Sequence, residues 1–285
     1  MLKTIRKYAS LVKFPHTVFA MPFALIGYFY GIQATGFDAL LLLKVLLCMV
    51  FARNAAMGFN RYADRDIDSV NPRTANREIP KGIILPRNAL WFVIINSLLF
   101  IAGAAWINPL CFYLSPVALG VILGYSLTKR FSWLCHLFLG LSLAIAPSGA
   151  YIAVTGTLTW IPIVLSFLVF TWSAGFDIIY SLQDLDFDRK HHLNSMPARL
   201  GAFGSLAVSA GLHLITAFLA IWLVFAFGNT LLIRIGTMLF IALLVYQHLI
   251  VSPEKLDKVN MAFSTLNGIA SITYALFVIP GLYIN

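Results

Sequence analysis

Apolar runs of about 20 residues recur along the whole chain, and that pattern decides what the chain can fold into. A helix rises 1.5 Å per residue, so about 20 residues cross a ~30 Å hydrocarbon core. Nine such runs can be drawn, at 14–33, 38–60, 88–107, 110–128, 132–153, 159–181, 202–227, 230–251 and 261–283. They cannot all be buried in one water-soluble core. Composition agrees: 60% of the 285 residues are hydrophobic and 11% charged, against about 25% charged in a soluble domain. The expected fold is all-α, a polytopic membrane protein forming one transmembrane domain over residues 1–285.

The net charge of +9 could point to nucleic acid, but the placement of charge argues against it. With the N-terminus inside, the segments 1–13, 61–87, 129–131, 182–201 and 252–260 face the cytoplasm and hold 17 of the 20 basic residues. Lys44 and Arg234 fall near helix ends on the other side, and Arg53 lies within the second run. So one-sided a distribution sets orientation, leaving the C-terminus opposite, in a bacterial or archaeal inner membrane. Cys48, Cys111 and Cys135 all lie in apolar runs without metal spacing and read as small core residues. The N-terminus lacks a small-residue cleavage site and reads as a retained first helix.

The acidic residues are placed more unevenly still. Of eleven, three are Asp64, Asp66 and Asp68, and three more are Asp184, Asp186 and Asp188, where the second and sixth runs leave the membrane. Each cluster is followed by basic residues, then a Pro and a Gly (Pro80 and Gly82; Pro197 and Gly201). A duplicated four-helix unit, helices 1–4 and 5–8, plus one extra helix would explain this echo. If the second run continues as helix, Asn60, Asp64 and Asp68 share a face at i, i+4 and i+8, drifting about 40° per step. Asp184 and Asp188 repeat that relation, while Asp66 and Asp186 point to water.

Like charges at that spacing destabilise a helix, and concentrating them near a membrane boundary adds to the cost. Cations between the two sets would relieve it. Such oxygen ligands suit Mg²⁺, which prefers one or two carboxylates, several waters and substrate phosphate oxygens. The implied ligand is a diphosphate. Arg73, Arg77, Lys81, Lys129 and Arg199 would take its remaining charge, and the Tyr125 hydroxyl, one turn before Lys129, would add a donor. Arg61, Arg65, Arg87, Lys190 and Lys255 read instead as topology charges.

Asn60-Arg-Tyr-Ala-Asp64-Arg-Asp-Ile-Asp68, followed by Asn71-Pro-Arg-Thr-Ala-Asn-Arg77-Glu-Ile-Pro80-Lys-Gly82, resembles the first Asp-rich motif of the UbiA-type intramembrane prenyltransferases. Tyr180-Ser-Leu-Gln-Asp184-Leu-Asp-Phe-Asp188 is similar to their second. The resemblance implies nine transmembrane helices surrounding a central cavity, and Mg²⁺ held by Asn60, Asp64, Asp68, Asp184 and Asp188. It implies ionisation of an allylic prenyl diphosphate in a dry cavity, attack by an electron-rich aromatic ring, and removal of a proton by a carboxylate. Tyr180, heading the second motif, joins the substrate contacts.

Two charges lie deeper. Arg53 is seven residues before Asn60, and Asp177 seven before Asp184. They read either as an interhelical ion pair, or as an acceptor-carboxylate ligand and a base. His16 is a further candidate for acceptor contact, or a satisfied structural histidine. The wording around Asn60 and Asp184 is most similar to the 4-hydroxybenzoate-polyprenyltransferase branch, and resembles a menaquinone branch as well. The implied partners are a polyprenyl diphosphate, an aromatic acid and the bilayer. The rival readings are a divalent-cation or phosphate transporter, and prenyl transfer to a non-benzoate acceptor.

Overall fold

The computed structural model describes residues 2–12 and 19–284, with side chains from Lys7 onward. The described residues are almost wholly helical, with no β-strand among them. In chain order the helices are α1 (Leu2–Leu11), α2 (Met21–Thr35), α3 (Ala39–Ala63), α4 (Arg65–Val70), α5 (Pro86–Ile107) and α6 (Pro109–Thr128). There follow α7 (Cys135–Thr155), α8 (Trp160–Ser181), α9 (Leu185–Lys190), α10 (Met196–Ala226), α11 (Leu231–Ile250) and α12 (Asn267–Gly281).

Eight described helices are long and apolar enough to cross a membrane: α3, α5, α6, α7, α8 running on through α9, α10, α11 and the stretch 261–281. The run expected at 14–33 appears as the 15-residue α2; residues 13–18, His16 among them, lie outside the described residues. The run expected at 202–227 begins earlier, at Met196. Ser195 caps this helix by accepting from the Ala198 N–H, and Pro197 sits in its first turn, where its missing N–H costs nothing. Large apolar side chains such as Trp106, Val117, Leu214, Phe218 and Phe225 stand more than 60% exposed. An apolar surface that extensive belongs against lipid. The chain is an integral membrane protein.

The described chain divides into two compact units, residues up to 17 with 39–127, and 18–38 with 128–285. In the first, α3 packs along α5, and Asn54 Nδ2 donates to Asn96 Oδ1 at 3.0 Å between them. Tyr8 of α1 stacks on Phe92 with centroids 4.9 Å apart, above a small cluster of Leu11, Ile79, Ile84 and Ala89. In the second, α7, α8 and α10 pack in succession, with α2 against α7 and α11 against α12. Phe23, Trp172, Phe176, Phe240 and Tyr274 fill its core. Inside that core Asn267 accepts from Trp172 Nε1 at 3.1 Å and Gln247 Nε2 at 2.8 Å, and donates to the Ala262 and Phe263 carbonyls. Those carbonyls lie in a π-helical turn, Met261–Leu266, whose widened ladder frees backbone oxygens for a side-chain donor.

Candidate active site

The first acidic motif lies where α3 ends. The helix is interrupted for one residue, Asp64 (φ −90°, ψ 5°), and resumes as α4. The i, i+4 hydrogen bonds run through the break, from Asp64 N–H to Asn60 C=O at 3.0 Å and from Asp68 N–H to Asp64 C=O at 2.7 Å. The expected spacing of Asn60, Asp64 and Asp68 therefore survives. Asn60 Nδ2 donates to Asp64 Oδ2 at 3.1 Å. Asp68 is buried, and both its oxygens accept from Arg77 Nη1 at 2.7 Å. Asp66 faces solvent with 80% of its side chain exposed, beside Arg65. Beyond α4, the turns return the chain to α5 through Gly82 at φ +70°, a left-handed conformation that disfavours any side chain.

The second motif repeats much of this geometry. A 3₁₀ turn over Leu182–Asp184 ends at Asp184 (φ −103°, ψ 5°), and six-residue α9 follows. Asp184 is buried, Asp186 is exposed, and the Asp188 side chain is wholly enclosed. Lys129 Nζ lies 2.7 Å from Asp188 Oδ1. Burial alone would lower the Lys129 ammonium's pKa, but Asp188, with Asp184 behind it, outweighs this and holds it above the usual lysine value. After α9, Asn194 ties the loop back to the Lys129 segment, its N–H bonding the Lys129 carbonyl at 3.1 Å and its Nδ2 the Arg130 carbonyl at 3.2 Å. Gly201 (φ +71°) then kinks α10.

In each motif, then, the second aspartate is already neutralised by a cation that the sequence reading assigned to a phosphate. Arg77 reaches it from the loop after its own motif, and Lys129 from the end of α6, two spans before α8. Arg73 and Lys81 are exposed. Arg199 lies over the Trp133 ring, 4.6 Å from its centroid; both line a cavity of about 350 Å³ together with Asp188, Asn194 and Ser195. Tyr180 stacks on Phe263 with centroids 4.0 Å apart.

The deeper charges are resolved separately. Asp177 Oδ2 lies 2.6 Å from His136 Nδ1, with the imidazole 5% and the carboxylate side chain 22% exposed. The other imidazole nitrogen, Nε2, faces the Met196 N–H at 3.4 Å, an arrangement that favours the neutral tautomer with its proton on Nδ1. His136 was not legible as a site residue; its only sequence signal is a lone ionisable group at the head of an apolar run. On α3, Arg53 has a buried Nε without an acceptor among the described residues. Arg61, read from sequence as a topology charge, is only 3% exposed. Tyr125 on α6 is close enough to act on both arginines.

Neither motif by itself gathers three acidic, His or Cys side chains into a ready metal cage. That donor set fits Mg²⁺ better than a caged ion, because Mg²⁺ takes few protein carboxylates and completes its shell with water and phosphate.

These features define a helical membrane protein whose ionisable groups concentrate at acid-rich helix ends. Residues 20–272 match the UbiA prenyltransferase family, and the chain belongs to it. It is 30% identical over 251 residues to a 4-hydroxybenzoate octaprenyltransferase from Vibrio atlanticus, spanning 85% of this chain and 84% of that one. It is 29% identical over 230 residues to a protoheme IX farnesyltransferase from Pyrobaculum arsenaticum, over 79% of this chain and 81% of that one. Among solved structures, the apo UbiA homolog from Aeropyrum pernix K1 superposes with a TM-score of 0.81 at 31% identity, covering 94% of this chain and 97% of that one. A UbiA homolog from Archaeoglobus fulgidus, bound to GPP and Mg²⁺, shares the fold at a TM-score of 0.75 and 24% identity, over 98% and 100% of the chains. The chain is accordingly a prenyltransferase by family, and the transporter reading gives way.

Proposed function

We propose that this enzyme transfers a polyprenyl group from an allylic polyprenyl diphosphate to an aromatic acceptor such as 4-hydroxybenzoate, with Mg²⁺, in ubiquinone or menaquinone biosynthesis. The observation that carries the reading is the pair of acidic helix ends, each with one aspartate held by a cation and one beside it at i−4. Asn60, Asp64, Asp68, Asp184 and Asp188 would hold Mg²⁺, which when bound neutralises the diphosphate and makes it a better leaving group. Arg77 and Lys129, paired to Asp68 and Asp188, keep those carboxylates oriented. Arg73, Lys81, Arg199 and the Tyr125 hydroxyl add donors toward phosphate oxygens. The side of the membrane carrying both motifs and the N-terminus is the cytoplasmic one, on the strength of its basic residues.

Deeper in α3, the unsatisfied Arg53 takes the acceptor's carboxylate, for which a guanidinium fork is suited. Asp177 accepts the proton that the ring loses after attack, on a carboxylate oxygen oriented by His136. Tyr180 and Phe263 offer an aromatic wall to the substrate. A second reading keeps the chemistry and changes the acceptor, and the kinship to a protoheme IX farnesyltransferase favours it. The test is pyrophosphate release from a prenyl diphosphate by detergent-purified protein with Mg²⁺ and 4-hydroxybenzoate. Release should require the acceptor. It should fall at least 100-fold in Asp64→Asn, as expected when charge stabilisation of a leaving group is lost, and stay within about twofold in Asp66→Asn, whose carboxylate is exposed. Equal loss in both variants would contradict the assignment.

A further inference from the structure

Ahead of α12 the chain widens into the π turn Met261–Leu266. Such a turn holds one residue more than a regular helix, which amounts to about 100° of rotation for whatever precedes it. Phe263 lies inside it. Its ring stacks on Tyr180 with centroids 4.0 Å apart and meets Phe176 and Phe19 edge-on at 5.4 and 5.5 Å. Phe19 and Phe176 are buried, whereas Tyr180 and Phe263 are half-buried and keep part of their surface open. Tyr180 precedes Asp184 by four residues and Asp188 by eight, the register that Asn60 holds in the first motif.

The turn is held by the wholly buried Asn267. Its Oδ1 takes two donors, Trp172 Nε1 at 3.1 Å and Gln247 Nε2 at 2.8 Å, and either donor alone settles which end of the amide is oxygen. Nδ2 must then face the turn, where it donates to the Ala262 carbonyl at 3.1 Å and the Phe263 carbonyl at 3.0 Å. The second of these belongs to the residue whose ring stands on Tyr180. One side chain thus ties the Phe263 backbone to Trp172 of α8, the helix that also carries Tyr180. Without that amide the widened turn loses its side-chain donor and relaxes toward the regular ladder, turning Phe263 off Tyr180.

We infer that Asn267 is a positioning residue for prenyl transfer: by clamping the π turn it keeps the Phe263 ring on Tyr180, and the two rings screen the reacting allylic carbon from water. The inference rests on the prenyl-transfer reading for its substrate. A ring face attracts developing positive charge, and apolar bulk beside it denies water a path. The allylic cation then has two fates. Attack by the aromatic acceptor gives the adduct and releases the ring proton; attack by water gives the prenyl alcohol and releases a proton of that water. Either way one pyrophosphate leaves. The ratio of adduct to alcohol is set within each active molecule, so losing folded protein lowers both products alike and leaves the ratio where it was.

The experiment measures that ratio by mass spectrometry for the detergent-purified full chain with Mg²⁺, geranyl diphosphate and mixed aromatic acceptors. The variants are Asn267→Ala, Phe263→Ala, the two combined, and Gln247→Leu. The ratio should fall about 10-fold in Asn267→Ala and in Phe263→Ala, within the ~100-fold that a 1 Å misplacement can cost. The double variant should fall no further than Phe263→Ala alone, because Asn267 acts through that ring. Gln247→Leu removes one donor to the same amide but leaves its hold on the two carbonyls, so it should lower the melting temperature and leave the ratio unchanged. An unchanged ratio in Asn267→Ala overturns the inference, as do losses that multiply in the double variant or an equal fall in Gln247→Leu. Should Asn267→Ala fail to fold, an unchanged ratio in Phe263→Ala overturns it as well. All of these outcomes leave prenyl transfer standing, whereas wild type that forms no adduct removes that reading and the inference together.

Discussion

Replacing Lys129 by Met should destabilise the protein far more than removing its partner. Asp188 has a wholly enclosed side chain, and Lys129 Nζ sits 2.7 Å from it. Deleting one member of a buried ion pair costs roughly 3–5 kcal/mol, because the other charge is left without compensation. Lys129 keeps 28% of its side chain exposed, which places the loss near about 3 kcal/mol at the low end of that range. For a chain of this size that is roughly 6–9 °C in Tm. Asp188→Leu leaves an ammonium that can reach water along its own stem, at a cost of about 1 kcal/mol or less. The double variant should then melt close to Asp188→Leu alone, well above Lys129→Met.

The pH dependence has a definite sign. The folded-state pKa of Lys129 lies above its ordinary value, so the pair's contribution is complete below the unfolded value of about 10.4 and is lost as pH rises through the folded one. The Tm gap between wild type and Lys129→Met should be flat from about pH 6 to 9 and narrow above about pH 10.5. Loss of far-UV helical ellipticity on heating in detergent reads both. Two single losses of equal size that simply add in the double variant would refute the reasoning.

Asn267→Leu should strand the Trp172 and Gln247 donors in the core of the second unit. At roughly 1–3 kcal/mol for each unsatisfied group, unfolding should shift down by several degrees in the same assay, while a Leu replacing a lipid-facing Leu214 neighbour such as Phe218 should shift it little. His136→Phe should release Asp177 from its 2.6 Å contact. The expected result is a lower kcat with an unchanged KM for the prenyl diphosphate, partly rescued in His136→Asn, which keeps a donor; equal changes in kcat and KM would point to a structural role alone.

The spans, the two acidic clusters and the outward turn of Asp66 and Asp186 were legible in the sequence, because hydropathy period and charge placement are local signals. Asn60, Asp64 and Asp68 kept their spacing since the ladder closes across the break at Asp64. What stayed hidden depends on contacts made after folding. Lys129 and Asp188 are far apart in the chain, so nothing local indicates that the cation is spent on that carboxylate. Arg61 stands in a basic stretch at a helix end, where sequence reads a topology charge; its burial is a tertiary property that no local signal reports. His136 could not be joined to Asp177 without knowing that α7 lies along α8. The early start of α10 was marked by Ser195 and Pro197, a cap signal masked by the weaker hydropathy of that first turn.

The most direct test of prenyl transfer to an aromatic ring is mass spectrometry of the lipid formed by purified protein from mixed aromatic acceptors and prenyl diphosphates of several lengths, with Mg²⁺ and then with EDTA. The expected product has the mass of one acceptor plus one prenyl group less a proton's worth of hydrogen, forms with one pyrophosphate released, and disappears in EDTA. Prenyl alcohol and pyrophosphate with no acceptor adduct, from protein that is folded and binds both substrates, would contradict it.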